Sequence, residues 1–434
     1  MRARTRRSHA LRLVLALGTM MLGSAAAMLA CNGLVGVEDV RLRKDSGNAG
    51  IDQEVEPGPE EETGPGDTAP PTPGANILEV ALGLQHTCAR KPDLSVKCWG
   101  DDTRGQTGTG GMSDGGVVAA PKTVAVTDAR AISSGQYHTC IVRTSGKVSC
   151  WGENQDGQLG DGKTARSPIP VDVVGISDAK SVACGASFSC ALRTGGGVAC
   201  WGNGLGGQLG NGTKQLQPAP APVSNLSDAV GLSAGESHAC AIKLDGKIVC
   251  WGDGINGQLG TGDQLERTTP AAVSGLDSML LVAAGSRSTC AAKKTGAVFC
   301  WGANELGQLG SGAANPMPNP VPTVVNGIDA VALWGGKDHA CAVKRGGAVA
   351  CWGRGFEGQI GDGQPRAATT TPTPTPTSVS GVTNAIGVGT GGNHSCSPTS
   401  TGNILCWGEN SRGEVGKGAA GPALMSPESV LTYP

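Results

Sequence analysis

Cysteine is the reactive residue this sequence spends most freely: sixteen occur in 434 residues, and fourteen fall into seven pairs whose members stand ten apart. The pairs are Cys88 with Cys98, Cys140 with Cys150, Cys190 with Cys200, Cys240 with Cys250, Cys290 with Cys300, Cys341 with Cys351 and Cys396 with Cys406. Thiols in such number serve as metal ligands, as redox groups or as disulfides. The spacing lacks the close Cys-x-x-Cys pairs of zinc sites, and no Cys-x-x-Cys-His haem attachment occurs. His86, His138, His238, His339 and His394 each stand two residues before the first cysteine of a pair, but Phe188 and Ser288 fill that slot elsewhere. A repeated structural contact explains such a slot better than ligation, so no metal and no cofactor is expected. Two cysteines remain: Cys184, expected as a buried free thiol, and Cys31 near the N-terminus.

Catalysis needs residues that break a repeat and converge, such as a carboxylate pair or an activated nucleophile. No such set stands out. Asp161, Asp253, Asp263 and Asp362 sit in Gly- and Asn-rich stretches and read as turn formers, and none belongs to an EF-hand or nonapeptide calcium loop. Outside eight tryptophans there are only two tyrosines and three phenylalanines, too few for an aromatic sugar-binding pocket. The chain is therefore expected not to be an enzyme. Its 34 basic and 36 acidic residues leave a net charge of -2, which gives nucleic acid no electrostatic reason to bind.

The elements that carry the cysteines repeat with them. Cys-Trp-Gly recurs at Cys98, Cys150, Cys200, Cys250, Cys300, Cys351 and Cys406, with steps of 52, 50, 50, 50, 51 and 55 residues. A period near fifty marks a solenoid or a propeller. Within a unit, Gly-x-x-x-x-Cys leads to a glycine turn, a strand ending in Cys-Trp-Gly, then Gly-Gln-Leu-Gly and a Pro-x-x-Val strand, every piece strand-length and every joint carrying glycine. In the stretch from Cys140 to Cys150, a three-residue loop Thr144-Ser145-Gly146 needs a left-handed residue at its third position, and glycine stands there. Gly196, Gly246, Gly296, Gly347 and Gly402 fall at the same place, and only the first unit, Lys91-Pro92-Asp93-Leu94, departs. This register sets Cys140 opposite Cys150 and Val142 opposite Val148 on one face. Opposed Cα atoms of an antiparallel pair lie within disulfide reach. Seven disulfides, one per unit, are the expectation; fourteen reduced cysteines acting as small apolar residues are the alternative.

Four short strands per unit make a sheet that cannot bury both faces alone, so neighbours must stack around an axis. The Gly-x-x-x-x-(small), Gly-x-Val-x-x-Trp-Gly and Gly-Gln-Leu-Gly-x-Gly pattern, with Trp99, Trp151, Trp201, Trp251, Trp301, Trp352 and Trp407, resembles the regulator of chromosome condensation repeat family over residues 77 to 434. The resemblance implies an all-β, seven-bladed β-propeller of four-stranded antiparallel blades, with Ser429-Val430-Leu431 supplying the last strand and closing the ring beside the first unit. The family's nucleotide-exchange activity on a nuclear GTPase does not carry over, because the N-terminus points to another compartment. Secreted bacterial members that inhibit β-lactamases through one propeller face are the nearer analogy.

Arg2, Arg4, Arg6, Arg7 and Arg12 precede an apolar stretch from Leu13 to Ala30, the pattern of a secretory signal over residues 1–30. Met28-Leu29-Ala30-Cys31 resembles the lipobox of bacterial lipoproteins, with Cys31 the lipidated residue. Residues 31–76 hold an acidic, proline-rich run expected to be a disordered tether, and residues 77–434 the folded domain. The expected protein is thus a monomeric extracytoplasmic scaffold, lipid-anchored to a bacterial membrane, that binds a protein partner through a propeller face. Inhibition of a secreted or periplasmic enzyme, glycan adhesion and, last, hydrolysis are the other readings. Trp334, bulky where Ser133, Ala183, Ser233 and Ala283 are small, is the candidate contact, with filling of a gap between blades as its alternative. The run from Ala367 to Thr377, rich in Thr-Pro, is expected to be a solvated extended loop.

Overall fold

The computed structural model describes residues 78–111, 116–366 and 372–432. Glycine at every joint and short β-branched runs between joints yield strands only, twenty-eight among the described residues, arranged as seven four-stranded antiparallel sheets. The first blade is β1 (Glu79–Leu82), β2 (His86–Arg90), β3 (Val96–Asp101) and β4 (Val117–Thr123); the second is β5 (Ala129–Ser134), β6 (His138–Arg143), β7 (Val148–Gly152) and β8 (Ser167–Asp172). Each blade pairs its strands in chain order, up to β28 (Leu424–Thr432). The result is a seven-bladed propeller.

The central hairpin of each blade has the register that the cysteine spacing dictates: Cys140 lies opposite Cys150 and Val142 opposite Val148. Arg143 N–H donates to Lys147 O, so three residues back along the alternating ladder Cys140 and Cys150 form a non-hydrogen-bonded pair, the closer kind. Gly146 holds φ +81° at the turn, and a Cβ there would sit 2.6 Å from Ser177 O. Where the first blade lacks the glycine, Leu94 itself adopts φ 66°.

The core is divided among the seams between blades rather than gathered at a centre. One cluster joins Cys140, Val142, Val148 and Cys150 of the second blade to Val182, Ala191, Ala199 and Trp201 of the third. The seven repeat tryptophans are fully buried in such seams. Each removes about 150–250 Å² from water, worth roughly 4–6 kcal/mol on area grounds. Ring closure uses the same packing: Leu78, Val80 and Trp99 of the first blade meet Cys396, Ile404 and Val415 of the seventh, with Val430 and Leu431 of β28 against them. β28 remains paired to its own blade through β27 (Asn403–Gly408), so the ring closes without strand exchange.

One expectation needs correction. The Thr-Pro run is not a free loop along its length: Thr373–Ser378 is β24, the outer strand of the sixth blade, with Thr377 opposite Cys351 and Thr373 opposite Gly353. Alternating proline suits a strand with one unpaired edge, because every second N–H would face solvent and its loss costs no ladder bond. β8 (Ser-Pro-Ile-Pro-Val-Asp) and Gln217–Pro222, the outer strand of the third blade, show the same composition. Residues 367–371 lie outside the described residues, as do Cys31, the signal segment 1–30 and the tether.

Candidate functional site

Seven cysteine pairs stand directly opposed with Cα–Cα distances of 4.0 to 4.1 Å, and the structure joins each pair Sγ to Sγ. Such a set belongs to an oxidising, extracytoplasmic environment. Among the described residues, no helix is long and apolar enough to cross a membrane. Cys184 is buried and unbridged, its thiol 3.4 Å from Ser133 O, and burial pushes its pKa up to about 12. With His138 and Cys140 it forms a group of potential metal ligands within 4.8 Å of one another. Cys140 is already spent in its bond to Cys150, and His138 Nε2 is 2.8 Å from the Ser189 hydroxyl, so the group offers a metal no complete set.

The histidines have a job the sequence hides. His86 Nε2 meets Thr139 Oγ1 at 2.9 Å, His138 meets Ser189, His238 meets Thr289 at 2.8 Å, His339 meets Ser395 at 2.9 Å, and His394 closes the ring on Thr87 at 2.8 Å. Every one of these contacts crosses to the next blade. Each hydroxyl in turn donates to the backbone carbonyl of the residue at the Gln position of Gly-Gln-Leu-Gly, as Thr289 does to Gln258 O at 2.8 Å. The hydroxyl hydrogen is thereby used, so the imidazole donates from Nε2. The Nδ1 atoms are buried without a partner, and burial drives all five pKa values down to about 3. Glycine makes the room: a Cβ on Gly235 would come within 2.4 Å of the His238 ring. Where histidine is missing, the partner hydroxyl is missing too: Phe188 faces the Ala239 position and Ser288 the Ala340 position. The same Gln carbonyls receive the tryptophan indoles, for example Trp301 Nε1 to Gln258 O at 2.9 Å. These residues hold blades together and are not exposed to a substrate.

Asp161, Asp253, Asp263 and Asp362 accept backbone N–H groups two residues ahead, from Lys163, Ile255, Leu265 and Gln364, the geometry of turn formers. Trp334 needs a correction as a contact residue. It is only 6% exposed and packs with Val343, Val388 and Trp407 in the seam between the sixth and seventh blades. The aligned slot in the seventh blade is Gly389, and Trp334 and Gly389 line a small cavity together with Val80 and Leu82 of the first blade.

The exposed apolar surface lies elsewhere. Strand pairing of Gly202 with Gln217 and of Gly252 with Arg267 puts loops 203–216 and 253–266 at the same end of the third and fourth blades. They present Leu205 (60% exposed), Leu216 (43%), Ile255 (66%) and Leu265 (61%). Lys214 pairs with Glu266 between the two blades. On the same face the axial channel opens in a shallow depression lined by Gly135, Gly185 and Gly235 and rimmed by Glu236, Ser286 and Lys337. A partial signal existed in the sequence: Leu205 and Ile255 occupy a slot that is Thr103, Gln155, Glu305 and Ser411 in four other units and Phe356 in the sixth.

Comparison with known proteins agrees with this architecture. Two profiles described as Regulator of chromosome condensation (RCC1) repeat match the chain, one over residues 145–192, 195–242, 245–292 and 295–343, the other at five stretches between 129 and 414; together they cover more than half of it. The ultraviolet-B receptor UVR8 of Arabidopsis thaliana is 35% identical over 98 residues, 22% of this chain and 22% of that protein. The match thus spans about a fifth of that relative's length. Human WBSCR16 superposes with a TM-score of 0.69 at 21% identity, covering 78% of this chain and 94% of that one. Prp20p of Saccharomyces cerevisiae, a structure reported with its binding properties to Gsp1p and histones, gives 0.68 at 21% identity over 82% and 88%. At these identities the superpositions establish the fold.

Proposed function

Because this chain belongs to the regulator of chromosome condensation (RCC1) repeat family, we propose that its propeller is a non-catalytic scaffold that binds a protein partner through the face bearing loops 203–216 and 253–266. The observation that carries this reading is the group Leu205, Leu216, Ile255 and Leu265, four large apolar side chains open to solvent on adjacent blades of one face. Apolar surface gathered in this way, on a rigid ring and rimmed by charge, is the usual mark of a docking site. Prp20p, which shares the fold, is reported to bind Gsp1p and histones, which supports protein rather than small-molecule recognition.

The scaffold works outside the cytoplasm, held to a bacterial membrane by a lipid on Cys31 with residues 31–76 as the tether. Seven opposed cysteine pairs support the oxidising compartment, and the arginine-led apolar segment ending at Cys31 supports the anchor. Acyl labelling should disappear in Cys31→Ser; retained label removes the anchor from the reading.

The binding test is affinity capture from envelope extracts with the full chain beside a Leu205→Asp, Ile255→Asp variant. Loss of one stoichiometric protein with the variant supports docking at this face. Retention of that protein by the variant moves the site elsewhere; recovery of polysaccharide alone favours an adhesin, and loss of turnover by a captured enzyme identifies an inhibitor.

A further inference from the structure

Six repeats place glutamine after the glycine of the Gly-Gln-Leu-Gly turn, at Gln106, Gln158, Gln208, Gln258, Gln308 and Gln359, and the seventh places Glu414 there. The glutamines have a fixed duty. Their Oε1 accepts the backbone N–H two residues earlier, as Gln258 does from Asn256 at 2.9 Å, and Gln106 and Gln258 use Nε2 to donate to Asp101 and Asp253. Glu414 repeats the first half: its Oε2 accepts Arg412 N–H at 2.8 Å. The second half has no donor in a carboxylate. Oε1, at the place of the amide nitrogen, is buried without a partner, and the acid that a glutamine would address in this repeat is Glu409. Asp101 of the first blade faces Glu414 from across the seam, with its own Oδ1 buried and unpartnered.

We propose that Glu414 is a protonated stand-in for glutamine and that its ionisation loosens the seam between the seventh and first blades. Protonated, Oε1 carries a hydrogen and can donate as an amide does; ionised, it sets a bare charge in a buried site between two other carboxylates. The seam is the one that closes the ring, and it hangs on the same residue: Glu414 O accepts Trp99 Nε1 at 2.8 Å and Thr87 Oγ1 at 3.0 Å. The charged and titratable groups around it are Glu409 on its own loop, Asp101 on the first blade, and His394, which reaches it through Thr87. Of these the imidazole is neutral above pH about 3 and supplies no counter-charge. Desolvation, with repulsion from Glu409 and Asp101, raises the Glu414 pKa to about 7.

The test is thermal unfolding of the full chain between pH about 5.5 and about 8.5, wild type beside Glu414→Gln, with an infrared difference spectrum of the carboxylic acid band. The expected result is a wild-type midpoint temperature that falls as pH rises from about 5.5 and levels off above about 7, a variant that lacks this fall, and an acid band at pH about 6 that the variant removes. Trp99 emission in the folded protein should shift with a midpoint at pH about 7. If Glu414→Gln fails to fold, Glu409→Gln serves instead and should shrink the fall by removing the nearest negative charge. The proposal is overturned by an unchanged fall in either variant, by absence of the acid band, or by calcium at alkaline pH restoring the wild type, which would make the carboxylates a cation site.

Discussion

The hydrogen bond from His238 to Thr289 can be replaced by the pair nature already uses one blade earlier, Phe188 facing Ala239, and the energetics of the exchange follow from the geometry. Thr289→Ala alone strands a buried Nε2–H and removes one donor from Gln258 O, a cost of about 1–3 kcal/mol. His238→Phe alone leaves the Thr289 hydroxyl donating to Gln258 O and costs less, about 1 kcal/mol. The double variant removes both polar groups together and should lie near the single Phe variant, so the coupling is about 1–3 kcal/mol. The pH response separates this from packing alone. A histidine whose folded pKa lies at about 3 and whose unfolded pKa lies near 6.5 takes up its proton only on unfolding in the interval between them. Stability is therefore unaffected above pH about 6.5 and declines as pH falls towards 3, by about 2 kcal/mol per histidine at pH about 5. The assay is urea unfolding of wild type, both singles and the double variant at pH about 7 and about 5. Each variant lacking His238 should lose about 2 kcal/mol less on acidification than the wild type. Additive costs, or an acid loss identical with and without His238, would refute the account.

Further outcomes follow from the same seams and turns. Replacing Cys240 and Cys250 together by alanine should cost about 3 kcal/mol, since the bond closes a short loop, and non-reducing peptide mapping of the parent should find the two peptides linked. Cys184, with its thiol raised to about 12 and buried, should resist alkylation in the native protein and react only after unfolding. Trp251→Phe should cost about 1 kcal/mol more than Trp301→Phe in denaturant unfolding, because Gln258 O keeps the Thr289 donor while Gln208 O has Ala239 beside it and no hydroxyl. Gly146→Ala should lower the midpoint by the equivalent of about 1–2 kcal/mol, as φ +81° and the nearby Ser177 carbonyl both oppose a Cβ.

What the sequence determines by itself is everything that repeats. Cysteines ten apart around a glycine at the sixth step favour one hairpin register in six of the seven units, and a sheet with two apolar faces must stack on its neighbours; the repeat period leaves solenoid and propeller open, and the family resemblance points to the ring. The histidine slot was legible as structural, but its partner was not, because Thr289 belongs to the following unit and only the stacking of blades brings the hydroxyl to the imidazole. The departures from the repeat were the hardest to place. Trp334 reads as a contact by sequence but is buried against Val388 and Trp407 across a seam, and the Thr-Pro run reads as a loop but supplies the outer strand of the sixth blade. Exposure and burial are properties of neighbours across a seam, and neighbours fifty residues away are fixed by tertiary packing alone.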